Sequence, residues 1–298
     1  MILVTGGSGF IGSHVVDKLI EKGYKVAVFD QHKPLREDVE WRQGDILNAN
    51  EVLEACRDAE VIYHLAAIAD VNVALSHPEL CFQINEVGTL NVLKAATARE
   101  SERVILASTI WVYGSNEGMV DENTPIPMPD HIYTKTKIGQ EHLLVAWQKH
   151  YGLSYTILRY GIPYGPRMRP NMAIATFVSK AIRKEQVAIF GNGRQGRNFI
   201  YIEDLAQGNV AALSSKARNQ IINIAGSEFI TINQLVRNLE QIFGKINIEH
   251  RPERPGDFRG NYVSIEKAKA LLDWKPNIPF DIGLLKYVDW MKKNSTYQ

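Results

Sequence analysis

Tyr133 and Lys137 stand four positions apart in a helical pattern that starts near His131 and runs to about Tyr151. That spacing puts both side chains on one helix face. An isolated phenol, with a pKa of about 10, is a poor base at neutral pH. A cation beside it favours phenolate and lowers that pKa. The pair can therefore take a proton from a hydroxyl group, although a packed tyrosine next to a solvated lysine would show the same spacing. Lys135 lies off this face and is assigned to solvent. Ser108 and Thr109 follow an apolar run at 103–107, where their hydroxyls would either touch a ligand or cap the strand end.

The elements that must position these groups begin at the first residue. A short apolar run at 2–4 leads into Gly6, Gly9 and Gly12, and a helical pattern opens at Phe10 with Ile11, Val15, Val16, Leu19 and Ile20 apolar. Strand, glycine turn and helix form the geometry that holds a pyrophosphate on backbone N–H groups at a helix N-terminus. Gly6 would make the tight turn, Gly9 the close approach to phosphate, and Gly12 the close helix–strand contact. A glycine turn can also simply reverse the chain. Residues 25–30 then read as a buried strand ending in an acid. An acid there can bind both ribose hydroxyls of NAD and repels the 2′-phosphate of NADP. Lys33 and Arg36 follow closely and could soften that repulsion, so NAD is expected and NADP stays open. The positive ring of oxidised NAD would add to the effect of Lys137 on Tyr133.

Further strands are expected at 39–43, 60–65 and 103–107, with helices at 50–57 and 78–99. The pattern is that of an α/β chain with a Rossmann-type, doubly wound parallel sheet, whose ligands lie off the carboxyl ends of the strands. Ala66 and Ala67 at such an end would let a cofactor pass or simply pack tightly. His64 reads as a core histidine. Asn85, amid Leu80, Phe82, Ile84, Val87 and Leu90, needs a polar partner if buried. The remainder reads as a smaller C-terminal α/β substrate lobe, with a helix at 171–184, strands at 187–190, 199–202, 221–224 and 246–249, and a last helix at 281–293. The expected division is 1–160 and 161–298, with the chain crossing back to the sheet around 190–225.

The bulk numbers exclude other classes. A net charge of +1 provides no electrostatic footprint for nucleic acid or an anionic membrane. No apolar run approaches the ~18 residues of a membrane span. Cys56 and Cys81 lie in apolar helical patterns and read as buried free thiols in a reducing cytoplasm. With the first strand read from Met1, no signal peptide is expected, and no metal site is expected either.

Together these residues resemble the extended short-chain dehydrogenase/reductase family, and within it the nucleotide-sugar epimerases and dehydratases of the UDP-glucose 4-epimerase type. The resemblance rests on T-G-G-S-G-F-I-G from Thr5, Asp30, G-D-I from Gly44, H-L-A-A from His64, Asn85, and A-S-T-I-W-V-Y-G from Ala107. It continues through Tyr133 with Lys137, L-R-Y-G-I-P-Y-G-P from Leu158, R-N-F-I-Y-I-E-D from Arg197 and R-P-G-D from Arg254. It implies that Gly6, Gly9 and Gly12, with Phe10 and Ile11, hold the pyrophosphate of NAD. Asp30 would take the adenosine ribose, and Asp45 and Ile46 the adenine. Leu65, Ala66, Ala67 and Asn85 would line the cofactor, and Tyr160 and Pro163 would meet the nicotinamide. Thr109 would orient a sugar hydroxyl, Tyr133 would take its proton, and Lys137 would lower the phenol's pKa and bind the nicotinamide ribose. Val71, Thr109, Asn171, Arg197 and Arg254 would bind a nucleotide-diphosphate sugar, a role for which planar guanidinium suits the arginines. Relatives pair the helices that start at Pro78 and Ile132, which implies a homodimer.

The chain departs from the family pattern at three places. Sugar 4,6-dehydratases carry an Asp-Glu pair after the catalytic threonine; here Ile110 and Trp111 stand, and neither can serve as acid or base. Ile162 replaces the usual Asn of L-R-x-x-N-V-Y-G-P, and the loop after Asp30 lacks the usual Asn-x-x-x-Gly form. The sugar pocket is expected among Ala69, Asp70, Val71, Ile110 and Trp111, with Asp70 either binding a hydroxyl or starting the next helix. The expected activity is an NAD-dependent nucleotide-sugar 4-epimerase working through a transient 4-keto sugar. A 4-keto-sugar reductase and a dehydratase with other acid–base groups are the alternatives. A non-catalytic NAD-sensing scaffold would have no need of Tyr133 and Lys137.

Overall fold

The computed structural model describes residues 1–116, 118–253 and 260–294. Its centre is a seven-stranded sheet of β1 (Ile2–Thr5), β2 (Val26–Asp30), β3 (Glu40–Gln43), β4 (Val61–His64), β5 (Arg103–Thr109), β6 (Ser154–Tyr160) and β7 (Gln220–Ile224). The order is β7-β6-β5-β4-β1-β2-β3, and every pairing is parallel. Alternation along the strands feeds two cores. Ile2 and Val4 face α1 (Phe10–Glu21), while Leu3 faces α2 (Ala49–Ala55) on the other side.

The second-face layer is completed after α3 (Val71–Ser76) by a nearly continuous helix. The single helix expected at 78–99 is instead α4 (Pro78–Phe82), a π turn at Gln83–Val87, and α5 (Gly88–Ala98). A π turn holds an extra residue and rotates the side chains within it, which is how Asn85 reaches the interior. Next, α6 (Ile132–Tyr151) packs Leu144 onto the same core and ends at Gly152, whose φ of 75° suits glycine.

The C-terminal half builds two things. Helices α7 (Ala173–Ile182), α9 (Ile232–Phe243) and α11 (Phe280–Lys293) enclose a separate core with Val187, Ile189, Phe199 and Tyr201. There Val187–Phe190 pairs in parallel with Ile248–Arg251. By contrast α8 (Ile202–Ala211), β7 and α10 (Glu266–Leu272) join the Rossmann layers: Leu205, Ala206, Ile222, Ile224, Ala268 and Leu272 pack with Val15 and Leu19 of α1. No helix among the described residues is long and apolar enough to cross a membrane.

Candidate active site

A cleft of about 280 Å³ opens at the carboxyl ends of β1, β2 and β4, where the strand order reverses between β1 and β4. It brings together Gly6, Gly9, Asp30, Asp45, Ile46, Leu65, Ala66 and Ala67. Phe29, Gln31, Gly44, Ile68 and Ile84 also line it. Sequence reasoning missed these five, and only the neighbouring G-D-I and H-L-A-A stretches could have signalled them. Gly6 has φ +71°, and a Cβ there would stand 2.6 Å from the Ala66 nitrogen. A Cβ on Gly12 would stand 2.1 Å from the Gly6 oxygen. Gly9 is different: an added Cβ would meet only the Gly6 oxygen, at 3.3 Å. Gly9 is also the N-cap of α1 and offers no side-chain cap, so the first N–H groups of the helix keep their donor capacity beside open space. That combination fits a pyrophosphate. Phe10 and Ile11 form the first turn, and Phe10 packs against both the Rossmann core and the lobe core.

The adenosine end is equally built. The Asp30 carboxylate accepts the Ser8 N–H (3.1 Å) and the His32 N–H (3.0 Å), which fixes it beside the glycine turn. Arg36 is already bound to Asp38 (2.6 and 2.8 Å) and Asp17 (3.4 Å), so one of the two cations that could welcome a 2′-phosphate is neutralised. Asp45 accepts the Leu47 N–H, and Ile46 packs against Gly88.

The groups able to move a proton meet at the end of β5. Thr109 is the last residue of that strand; its hydroxyl accepts the Trp111 N–H (3.2 Å) and faces the Tyr133 phenol. Tyr133 lies in the first turn of α6 and Lys137 one turn later; both are buried. The Lys137 ammonium sits 6.0 Å from the Tyr133 ring and donates to the Ala107 carbonyl (2.8 Å). Burial pushes the Tyr133 phenol up to about 12, against the pull of the Thr109 hydroxyl and the Arg169 charge. Burial also pushes Lys137 down to about 8, with Cys81 and Glu141 acting the other way. Trp111 stands edge-on to Tyr133, with ring centroids 6.4 Å apart, and 6.1 Å from His131.

Other expected site residues are placed differently. Asn85 is fully buried, and its amide bonds both the N–H (2.8 Å) and the carbonyl (3.0 Å) of Ile68 and the Thr136 hydroxyl (2.9 Å). It holds the cleft wall from behind and does not line the cleft itself. The Tyr160 phenol points into the core and bonds Asn209. Pro163 lies in the short strand Ile162–Tyr164 paired with Phe199–Tyr201. Ser108 turns to Glu141 because strand alternation puts it on the α6 face. Ile110 packs into a small core with Val112, Tyr113 and Val263 and leaves Trp111 as the wall beside Tyr133. Asp70 caps α3 through the Asn72 and Val73 N–H groups, and its second oxygen accepts from Asn171 (2.8 Å) with Arg169 at 3.7 Å. Val71 opens α3 beside this group. Arg197 lies in the strand Gly196–Arg197 of the lobe, away from the cofactor cleft lining. Arg254 lies outside the described residues.

A model of the NAD-dependent epimerase/dehydratase family matches residues 2–225, the span that holds the cleft and the Thr109–Tyr133–Lys137 group. The chain belongs to this family. Among solved members similar to this epimerase/dehydratase-family chain is UDP-glucose 4-epimerase from Thermotoga maritima with UDP-glucose, 34% identical over 98% of each chain with a TM-score of 0.92. Another is UDP-glucuronic acid 4-epimerase from Bacillus cereus in complex with UDP-glucuronic acid and NAD, 33% identical with a TM-score of 0.91, covering 98% of this chain and 99% of that one. UDP-glucuronic acid decarboxylase 1 from Xenopus tropicalis is 32% identical over 100% of this chain and 73% of its own length.

Proposed function

We propose that this family member interconverts the C4 epimers of a UDP-linked sugar with NAD held in the cleft. The observation that carries the reading is the meeting of Thr109 and Tyr133 at the end of β5, with Lys137 one helical turn behind. Thr109 orients the C4 hydroxyl, and Tyr133 accepts its proton. NAD held by the cleft residues would supply reversible hydride transfer at C4, the chemistry that a 4-epimerisation through a 4-keto sugar requires. Tyr133 then gives the proton back, and no redox equivalent is consumed. Gly6, Gly9 and Gly12 with the first turn of α1 hold the pyrophosphate, and Asp30 the adenosine ribose. Asn171 and Arg197 of the lobe grip the sugar nucleotide. Trp111 and Ile110, standing where a dehydratase needs acid and base, favour epimerisation over water loss. The exposed Val73, Leu75, Leu80, Phe82 and Val87 support pairing of this helical face with a second copy, and a monomeric mass at micromolar concentration would remove that part of the reading.

The test uses purified protein as isolated, with the bound nucleotide released from a separate portion and identified. Incubation with UDP-, dTDP- and GDP-sugars, hexose and uronate alike, should yield the C4 epimer of a UDP-sugar without added cofactor. Consumption of NADH or NADPH with a 4-keto sugar, and no epimer, would replace the proposal with a reductase.

A further inference from the structure

Behind Thr109 lies a buried polar row that the proposed chemistry does not use. Ser108, Arg159 and Asn223 are register partners on β5, β6 and β7, so they stand side by side across the sheet. Arg159 is the hub. Its Nε and Nη2 donate to the two oxygens of Glu141 (3.0 and 2.7 Å), and its Nη1 donates to the Tyr113 hydroxyl (3.0 Å). Ser108 donates to Glu141 (2.5 Å), and Tyr113 donates to Asn223 (2.7 Å). Ser108, Glu141, Arg159, Tyr113 and Asn223 are each at most 3% exposed. A buried ion pair bonded in this way from each guanidinium nitrogen favours one geometry, since displacing either partner strands a charge.

The placement is what gives the row a role. Ser108 immediately precedes Thr109, and Tyr113 closes the short helix Ile110–Tyr113 that follows it. Both flanks of Thr109 are therefore bolted to the same guanidinium–carboxylate pair. Glu141 lies on α6 at the third step of the stripe Tyr133, Lys137, Glu141, so the helix that carries the base also carries the anchor. Lys137 adds a second bolt through the Ala107 carbonyl. We infer that the Glu141–Arg159 pair, acting through Ser108 and Tyr113, is the positioning device that sets Thr109 against Tyr133. These residues are buried and do not line the cofactor cleft. The inference rests on Thr109 and Tyr133 being the reacting pair.

The test is Ser108→Ala in the holoenzyme, since it loosens one bolt and leaves the ion pair intact. The first readout needs no substrate: ionisation of Tyr133 followed by NMR of labelled tyrosine ring carbons, with Tyr133→Phe assigning the signal. Loss of the oriented Thr109 hydroxyl should raise the midpoint by about half a pH unit, while the melting temperature stays within about 2 °C of wild type. The second readout is turnover. The kcat should fall about 10-fold at unchanged KM, and Ser108→Ala should add nothing further in a Thr109→Ala background. A Tyr133 titration that superimposes on wild type, or a loss that multiplies in the Thr109→Ala background, would overturn the inference. Failure of wild type to epimerise any sugar would overturn only the proposed function, because the titration arm stands without it.

Discussion

Replacing Lys137 by Met should move the pH dependence of turnover, and the size of the move follows from the site. Tyr133 acts as a base only as phenolate, and burial holds its pKa near about 12. Lys137 titrates near about 8, so it has lost its charge by the pH at which the phenol ionises alone. Below that pH the ammonium is present, 6.0 Å from the phenol ring. One charge at that distance in an effective dielectric of about 20 is worth ~2.8 kcal/mol, or about two pH units. Below pH ~8, where Lys137 keeps its charge, phenolate is thus about 100-fold more populated than it would be beside a neutral side chain, before any positive cofactor ring favours it further. Turnover is lost as pH falls through the base's apparent pKa. In Lys137→Met the neutral-pH rate should therefore fall about 100-fold, and the loss should shrink as pH rises above ~8, where wild-type Lys137 is itself losing its charge. Lys137→Arg should recover part of the neutral-pH rate. The measurement is kcat against pH for purified holoenzyme, with thermal unfolding to register the lost bond to Ala107. A loss by one constant factor at every pH would refute the reasoning, because it would mean that Lys137 acts by geometry and not by charge.

Gly9→Ala and Gly12→Ala should separate the cofactor's space from the fold's space. The first should leave the cofactor-free protein's stability nearly unchanged yet lower its NAD content, whereas the second, at 2.1 Å from the Gly6 oxygen, should cost about 1–3 kcal/mol in urea unfolding and lose NAD as well. Asn85→Ala strands the N–H and carbonyl of Ile68, while the Thr136 hydroxyl keeps its bond to the Tyr133 carbonyl; it should lose about 2 kcal/mol and weaken NAD retention, and a variant as stable as wild type would refute the clamp. His64, wedged between Thr5 and Thr89, is held by burial and by Lys137 at a pKa of about 3. The unfolded chain therefore binds more protons between the two pKa values, and stability is retained above pH ~6.5 and lost as pH falls toward ~3. Urea midpoints should register about 2 kcal/mol of that loss by pH ~5, and His64→Gln should flatten the slope.

What was legible in the sequence depended on how far each residue's role is set by its neighbours in the chain. Gly6, Gly9 and Gly12 carry their conformational and steric reasons locally, and the Tyr133–Lys137 spacing needs only a helix. Ser108 was not legible, because a one-residue step along β5 decides which face a hydroxyl joins, and Glu141 waits on one of them. A buried Asn85 needs a partner on sequence grounds alone, but the π turn that delivers it to Ile68 has no local signature. Tyr160 follows the family stretch in sequence, yet its phenol is claimed by Asn209, which arrives 49 residues later. Tertiary packing, not propensity, settled each of these.

The late return of β7 also bears on how this chain is made. When residues 1–160 have left the ribosome, β6 is an open strand edge, and the sheet face later covered by α8 and α10 is bare. Such an edge templates pairing with other chains, and the contacts that close it are long-range and slow to form. The cofactor half therefore cannot mature as a vectorial unit during synthesis. For the same reason, a chimera that exchanges substrate lobes at residue 160 should aggregate. A graft that keeps 202–224 and 266–272 with the recipient sheet should stay soluble.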